Sequence, residues 1–418
     1  MGNMNGHTST EAQLKVLIIG AGPAGCAIAH GLKKNDISFS IFDRAKSVEA
    51  TRHWAFTVGW SRPFLCDLLP EELANRLTEC QVDPAIDCQS IGKDEIVIYN
   101  GVTKKDEFKF PVPGGKEINM RKIRTMCAEN LDIQYNKKLS DVEYHDHGVT
   151  AHFDDGTSEA GSILIGVDGA SSQVRRCLLG RAAQAEVLPF VLMNFNAKYT
   201  AEQALFIKER LHPLVDIAIN PSGHYIRLNV LDMDDRDRPE TWSFQILSTW
   251  APKCVEDYDN ETDRLKRLKE HFRRDNWAEP YRSAVEWAPD DTEVLRDQLK
   301  IWKTVPWDNH GGRATLAGDA AHAMTFHRGQ GANNAFGDAY GFVLAMKKVK
   351  SGEKTLKEAV DEYDSNVQER GAKEVQISKS QTFFTHDWAA FKNSPVISMG
   401  TKPVAAFELP ESAKAAQA

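Results

Sequence analysis

The stretch from Leu14 to Asp43 restricts the fold of this chain more than any other. Leu14 to Ile19 is an almost continuous apolar run, the pattern of a strand buried on both faces of a parallel sheet. Gly20-Ala21-Gly22-Pro23-Ala24-Gly25 follows at once, and Cys26 to Leu32 has helical spacing. Ser38 to Phe42 reads as a second strand, closing at Asp43, 18 positions after Gly25. Together these make a βαβ unit with a glycine-rich turn. Gly20 permits the tight turn, Gly22 lets a pyrophosphate approach the backbone, and Gly25 lets the helix lie close to the strand. Pro23 and Ala24 open that helix, whose first N–H groups and positive dipole end face phosphate. Asp43 is expected to accept hydrogen bonds from ribose hydroxyls, with Arg44 beside it on the cofactor side. The unit predicts a dinucleotide site.

Composition narrows the context. At 418 residues, with 42% hydrophobic and 26% charged residues, the chain suits two or three globular domains rather than a disordered or fibrous protein. Its 51 Lys+Arg against 59 Asp+Glu give a net charge of −8, opposite to the footprint of a nucleic-acid binder. No apolar stretch is long enough for a membrane span. The polar start lacks a signal-peptide core, Gly6 stands where myristoylation needs Ser or Thr, and Ala416-Gln417-Ala418 is no organelle address. Seven cysteines without a CxxC pair read as reduced thiols, so a cytoplasmic location and no metal site are expected. Residues 1–12 and 400–418 read as flexible tails.

Two later segments bear on which dinucleotide is bound. Ser162 to Val167 is another buried strand, ending in Asp168-Gly169-Ala170-Ser171-Ser172-Gln173-Val174-Arg175. Ala314 to Ala317 is a further strand, followed by Gly318-Asp319-Ala320-Ala321-His322, then Gly329-Gln330-Gly331-Ala332-Asn333-Asn334 and an amphipathic helix. This triple, in this order, resembles the class A FAD-dependent monooxygenases, the p-hydroxybenzoate hydroxylase-like family. It looks closest to the fungal enzymes of secondary metabolism.

The resemblance implies an α/β fold: a Rossmann-like FAD-binding domain of the GR2 type with an antiparallel β-sheet substrate domain inserted. Residues 13–184 would form the first part of the FAD domain, with 80–115 open to membership of the substrate layer. Residues 185–287 would form the substrate-binding sheet, and 288–395 the second part of the FAD domain with the C-terminal helices. By the same resemblance Asp319 binds the ribityl chain, and Asp168 lies near the pyrophosphate. Gly318 and Gly329 shape the turns, and Gly331, Ala332 and Asn333 point N–H groups at the pyrimidine end of the flavin. Arg175 would pair with Asp168 or phosphate, or cap a helix. The family's FAD-contacting Arg falls at Met120, leaving Arg121 or Arg124 to substitute. Ala323 and Phe326 replace two prolines of the family's flavin loop. His322 and His327 are five apart but lack a third ligand at metal spacing, and His327 is either a pocket residue or a loop histidine.

On His224 to Val230, Tyr225, Arg227 and Asn229 share one face, and Ile226, Leu228 and Val230 the other. The first face either lines a pocket or faces solvent. Tyr225, Arg227 and Arg52 are the candidate catalytic residues, Arg52 because its segment resembles the one flanking the isoalloxazine ring. The aromatics Trp54, Phe56, Trp60, Trp242, Phe244 and Phe326 suit an apolar pocket or plain core. The family resemblance implies hydroxylation or epoxidation of an aromatic, indole or prenylated molecule, with FAD as cofactor, NAD(P)H as transient reductant and O2 as co-substrate, in a monomer or homodimer. The alternative is a redox-silent FAD-binding isomerase or cyclase on the same fold.

Overall fold

The computed structural model describes residues 14–252, 263–405, 407 and 410; the expected tails at 1–12 and 411–418, and Cys254, lie outside the described residues. Lys15–Ile19 is the middle strand of a five-stranded parallel sheet. Ser38–Phe42 and Ile163–Gly166 flank it, and Ile133–Gln134 and Ala314–Leu316 form the edges. Val16, Leu17 and Ile18 are wholly buried, as their unbroken apolar run requires. The helix Pro23–Lys34 makes the first crossover. It packs against the helix Gly331–Lys350 at Gly31, where an added Cβ would stand 2.9 Å from Val343.

The second layer is a seven-stranded sheet. Its order is Gln298–Ile301, Glu186–Ala197, Ser243–Trp250, His224–Asp232, Asp216–Asn220, Glu95–Asn100 and Asp106–Pro111. It is antiparallel except where Asp216–Asn220 runs parallel to Glu95–Asn100. One edge comes from within 80–115, the stretch left open to membership of this layer, whereas the other, Gln298–Ile301, comes from chain assigned by sequence to the second part of the FAD domain. The outer face, with Ile226, Leu228, Val230, Phe244 and Ile246, is covered by Leu265, Leu268 and Phe272 of the helix Arg264–Arg274. Trp242 and Phe244 belong to this outer core and have no part in a pocket. The inner face, with Leu188, Phe190, Leu192 and Leu247, packs near Val375 of the long helix Leu356–Thr385. Residues 400–405 and Phe407, read from sequence as tail, pack back onto this helix and its neighbours.

Candidate active site

A cavity of about 770 Å³ separates the turns of the parallel sheet from the inner face of the second layer. Asp319, Gly331, Ala332 and Asn333 line one side, and Tyr225, Arg227, Leu192 and Leu247 the other.

The glycine turn is built as its spacing predicts. Gly20 has φ +113°, and a Cβ there would stand 2.5 Å from the Val167 carbonyl oxygen. A Cβ on Gly25 would stand 2.0 Å from the Gly20 carbonyl oxygen, whereas Gly22 faces open space. The helix Pro23–Lys34 has no side-chain cap, so the first-turn N–H groups of Ala24 and Gly25 are left for a ligand. Asp43 accepts from the N–H groups of Ala21 (2.8 Å) and Ala45 (2.7 Å), and from Arg124 Nη2 (3.3 Å). This acid therefore braces the glycine turn as well as standing at the ribose position. Arg44 is exposed beside it.

Asp319 is open to the cavity, and its carboxylate accepts no hydrogen bond among the described residues. The dense protein around it nevertheless desolvates the carboxyl and raises its pKa, against the opposing charges of His322 and Arg175. Its accessible surface is thus that of a deep chamber. A Cβ on Gly331 would stand 3.6 Å from Asp319 Oδ1, so the acid meets the start of the helix Gly331–Lys350. That helix also has no side-chain cap, and Gly331, Ala332 and Asn333 all line the cavity. Two uncapped helix N-termini, a glycine with open space before it and an unpartnered carboxylate are the donor set that a flavin dinucleotide needs: N–H groups for phosphate and the electron-rich ring end, an acceptor for ribityl hydroxyls.

Other expected contacts are placed differently. Asp168 accepts from the N–H groups of Gln173 (2.6 Å) and Val174 (3.3 Å), so it caps the helix Gln173–Leu179, while its Oδ1 has no partner. Burial raises its carboxyl despite these donors. Arg175 makes no hydrogen bond to Asp168: it donates to the carbonyls of Ala170 (2.6 Å), Asp319 (3.1 Å) and Ala320 (3.0 Å), clipping two of the turns together. Arg124 is buried against Asp43 and does not line the cavity, whereas Arg121 is exposed and does line it. His322 contacts Asp338 (2.6 Å), and Asp338 also accepts from Arg370 and from the Gly318 N–H (2.7 Å). Burial alone would raise Asp338, but Arg370 and His322 hold it below the ordinary carboxylate range. This pair is the buried anchor of the Gly318-Asp319 turn.

On the opposite wall, Tyr225 is buried and lines the cavity; burial pushes its phenol upward, so it keeps its proton. Arg227 donates to the Ala55 carbonyl (3.1 Å) and pairs with buried Glu117, which also accepts from Thr57 Oγ1 (2.7 Å). Arg52 is exposed at the mouth and paired with Asp297 (2.6 Å). Trp54, Phe56, Trp60 and Phe326 line the chamber.

His327 lines it too, in a closed ring of hydrogen bonds that the sequence does not reveal. His386 Nδ1 meets the Thr382 carbonyl (2.6 Å), which can only accept, so this nitrogen carries the proton. His386 Nε2 then accepts from the Thr249 hydroxyl (2.8 Å), Thr249 accepts from His327 Nε2 (3.0 Å), and His327 Nδ1 meets the Thr382 hydroxyl (3.1 Å), which also reaches Thr325 Oγ1 (2.7 Å) and the Ser378 carbonyl (3.1 Å). Burial holds His327 well below the usual histidine range and His386 at about 4, so both stay neutral. Both His327 nitrogens already face threonine hydroxyls. The ring's contribution is a surface, stacked on Phe326 at 4.5 Å and edge-on to Tyr225 at 4.9 Å.

Sequence reasoning also missed Glu117, Gln330, Arg328, Val396 and Thr401. The available signal was a polar stripe on the long helix Leu356–Thr385 (Arg370, Glu374, Ser378, Gln381, Thr382, Thr385) at spacings of three and four, all buried. Away from the cavity, His224, His271 and Asp275 place ligand atoms within 4.8 Å of one another. Arg274 already contacts both Asp275 oxygens (2.7 and 3.1 Å), so a guanidinium fills the cation's role.

The geometry agrees with what this chain is similar to. The FAD binding domain family model matches residues 119–378. The FAD-dependent monooxygenase phnB of Penicillium herquei is 34% identical over 94% of this chain and 97% of its own length. The FAD-dependent monooxygenase cctM of Talaromyces islandicus is 33% identical over 93% and 97%. In fold, the chain matches Klebsiella pneumoniae HpxO, solved with FAD and uric acid, at TM-score 0.70 and 18% identity over 92% and 93% of the two chains. A cradle shaped for a flavin dinucleotide, a family model and relatives aligned over nearly their whole length lead to one conclusion: the chain belongs to the FAD-dependent monooxygenases and is a flavin-dependent oxidoreductase.

Proposed function

We propose that this enzyme takes electrons from NAD(P)H and uses O2 to hydroxylate or epoxidise an aromatic, indole or prenylated small molecule in secondary-metabolite biosynthesis. It would work in the cytoplasm as a monomer or homodimer. The observation that carries this reading is one chamber walled by the Asp319 turn and the start of the helix Gly331–Lys350 on one side and by an aromatic and aliphatic sheet face on the other. The names of the fungal relatives support the same reading. FAD, when bound, supplies the redox chemistry that couples NAD(P)H oxidation to oxygen transfer.

The chain's residues bind, orient and exclude water. Gly20, Gly22, Pro23, Ala24 and Gly25 would hold the pyrophosphate, and Asp43, with Arg44 and Arg124, the adenosine side. Asp319, Gly318, Gly329, Gly331, Ala332 and Asn333 would hold the ribityl chain and the flavin ring, with Asp168 and Arg121 at its margins. Protonated Tyr225 would donate to a substrate oxygen, Arg227 would add positive charge beside it, and Arg52 would guard the mouth. The apolar walls keep water from the reduced cofactor.

Anaerobic mixing of the purified holoenzyme with NADH or NADPH, across a panel of phenols and indoles, should bleach the flavin, and admitted O2 should restore it with oxygenated product. A flavin that stays oxidised with both reductants and every ligand would favour the redox-silent isomerase or cyclase, which the replacement of two loop prolines by Ala323 and Phe326 suggests.

A further inference from the structure

The chain that follows the long helix does not leave the molecule. Phe391, Val396 and Thr401 all line the chamber, and Phe391 and Val396 join Ile98, Ile219 and Tyr225 of the sheet in one apolar cluster. Val396 N–H donates to Gln381 Oε1 (2.8 Å), fixing the helix Pro395–Met399 against the end of the long helix.

Beyond it, the backbone completes a buried ion pair. Arg328 and Glu374 are both fully enclosed and bonded to each other. The second guanidinium nitrogen donates to the Lys402 carbonyl, and Glu374 Oε1 accepts from the Val404 N–H (2.9 Å). Gln330, with no exposed surface, donates to the Thr401 carbonyl (3.1 Å) and accepts from Trp60 Nε1 (3.0 Å). Phe407 packs on Trp60 at 4.8 Å, lies 4.7 Å from the Arg370 guanidinium, and covers Gly337 so closely that a Cβ there would stand 2.4 Å from the ring. Removing this segment would strip the buried Arg328–Glu374 pair of its backbone hydrogen bonds and Gln330 of its Thr401 acceptor, which is costly for buried polar groups. Arg328 and Gln330 also stand immediately before the helix start that meets Asp319.

We propose that residues 394–405 with Phe407 form the specificity-determining wall of the substrate chamber, clasped to the flavin loop through Arg328, Gln330 and Glu374. This rests on the monooxygenase reading above. The wall is a short helix, Pro395–Met399, and connecting chain rather than sheet, and its clasp is made by backbone groups at Thr401, Lys402 and Val404, so a side chain such as Val396 can change the chamber's size while the clasp stays in place. Val396 sets the space for a fused ring, and the clasp keeps it in place.

The test uses FAD-loaded enzyme, with phenol and 2-naphthol as probes differing by one ring, and reads binding from the perturbed flavin absorbance. Val396→Phe should weaken 2-naphthol relative to phenol by roughly tenfold, within the range for overfilling a packed site. Phe407→Ala and Gly337→Ala should each pull the two affinities together, and the double variant should match either single one, because both undo the same contact. A 2-naphthol to phenol ratio unchanged in Val396→Phe and Phe407→Ala, with FAD retained, overturns the proposal alone. A wild-type enzyme that retains FAD and binds neither probe does the same, whereas one that holds no FAD removes the monooxygenase reading as well.

Discussion

Arg227 and Glu117 bring opposite charges to the seam between the substrate sheet and the short ribbon Ala55–Val58 with Lys116–Asn119. Arg227 was legible as a residue on the polar face of its strand; its partner was not, because Glu117 lies 110 positions away and only the fold joins them. Burial raises the Glu117 carboxyl, while Arg227, and hydrogen bonds from Thr57 and Asn229, pull it down. Arg227→Met would leave Glu117 buried without its counter-charge, and should cost about 3 kcal/mol in urea unfolding. Adding Glu117→Leu should restore most of that stability, since an apolar pair of similar volume tolerates the same burial. If the single variant unfolds like wild type, the pair is not the buried link described here. Turnover that stays lost in the stable double variant would locate Arg227 in the chemistry as well as the scaffold.

Among the elements, the long helix Leu356–Thr385 does most to connect the layers, and its role was the least readable. The polar residues on its buried side reach residues 309–315, the helix Gly331–Lys350, the 325–328 loop and the C-terminal segment. Asp364 accepts from Thr315 Oγ1 and from Asn309 Nδ2 (2.9 Å), tying the helix to the edge strand Ala314–Leu316 that delivers Gly318 and Asp319. Burial raises this carboxyl to about 7, with its hydrogen-bond donors only partly opposing. Because the folded pKa lies above the unfolded one, the native state holds the extra proton: the contribution to stability is fully present below about pH 4 and is lost as pH rises to about 7. Between about pH 5 and pH 8 the wild type should lose about 2 kcal/mol of unfolding free energy through this group, and Asp364→Asn should not. A wild-type minus variant difference that does not change with pH would contradict the assignment. The glycine turn, by contrast, could be read directly, because the close approaches at Gly20 and Gly25 leave no other residue type a place.

For the molecule as a whole, the parallel sheet and its three ligand-facing turns were legible because each is a local strand–turn–helix signal. The boundary of the substrate layer was legible only in part. The stretch 80–115 was left open to membership and supplies Glu95–Asn100 and Asp106–Pro111, whereas Gln298–Ile301 joins the sheet through a pairing between distant strands, for which local periodicity carries no information. The same holds for the C-terminal segment, whose small and polar composition hides a set of backbone contacts to buried charges. What unites these parts is one chamber between the parallel-sheet turns and the second sheet, and Asp319 lines it with no donor to its carboxylate among the described residues. FAD titration of wild type and Asp319→Ala tests this most directly. Wild type should carry about one FAD per chain, and the variant should bind FAD at least about tenfold more weakly, as expected for losing a charged acceptor of ribityl hydroxyls. A wild-type protein that is colourless and takes up no FAD, or a variant with unchanged affinity, would contradict the account.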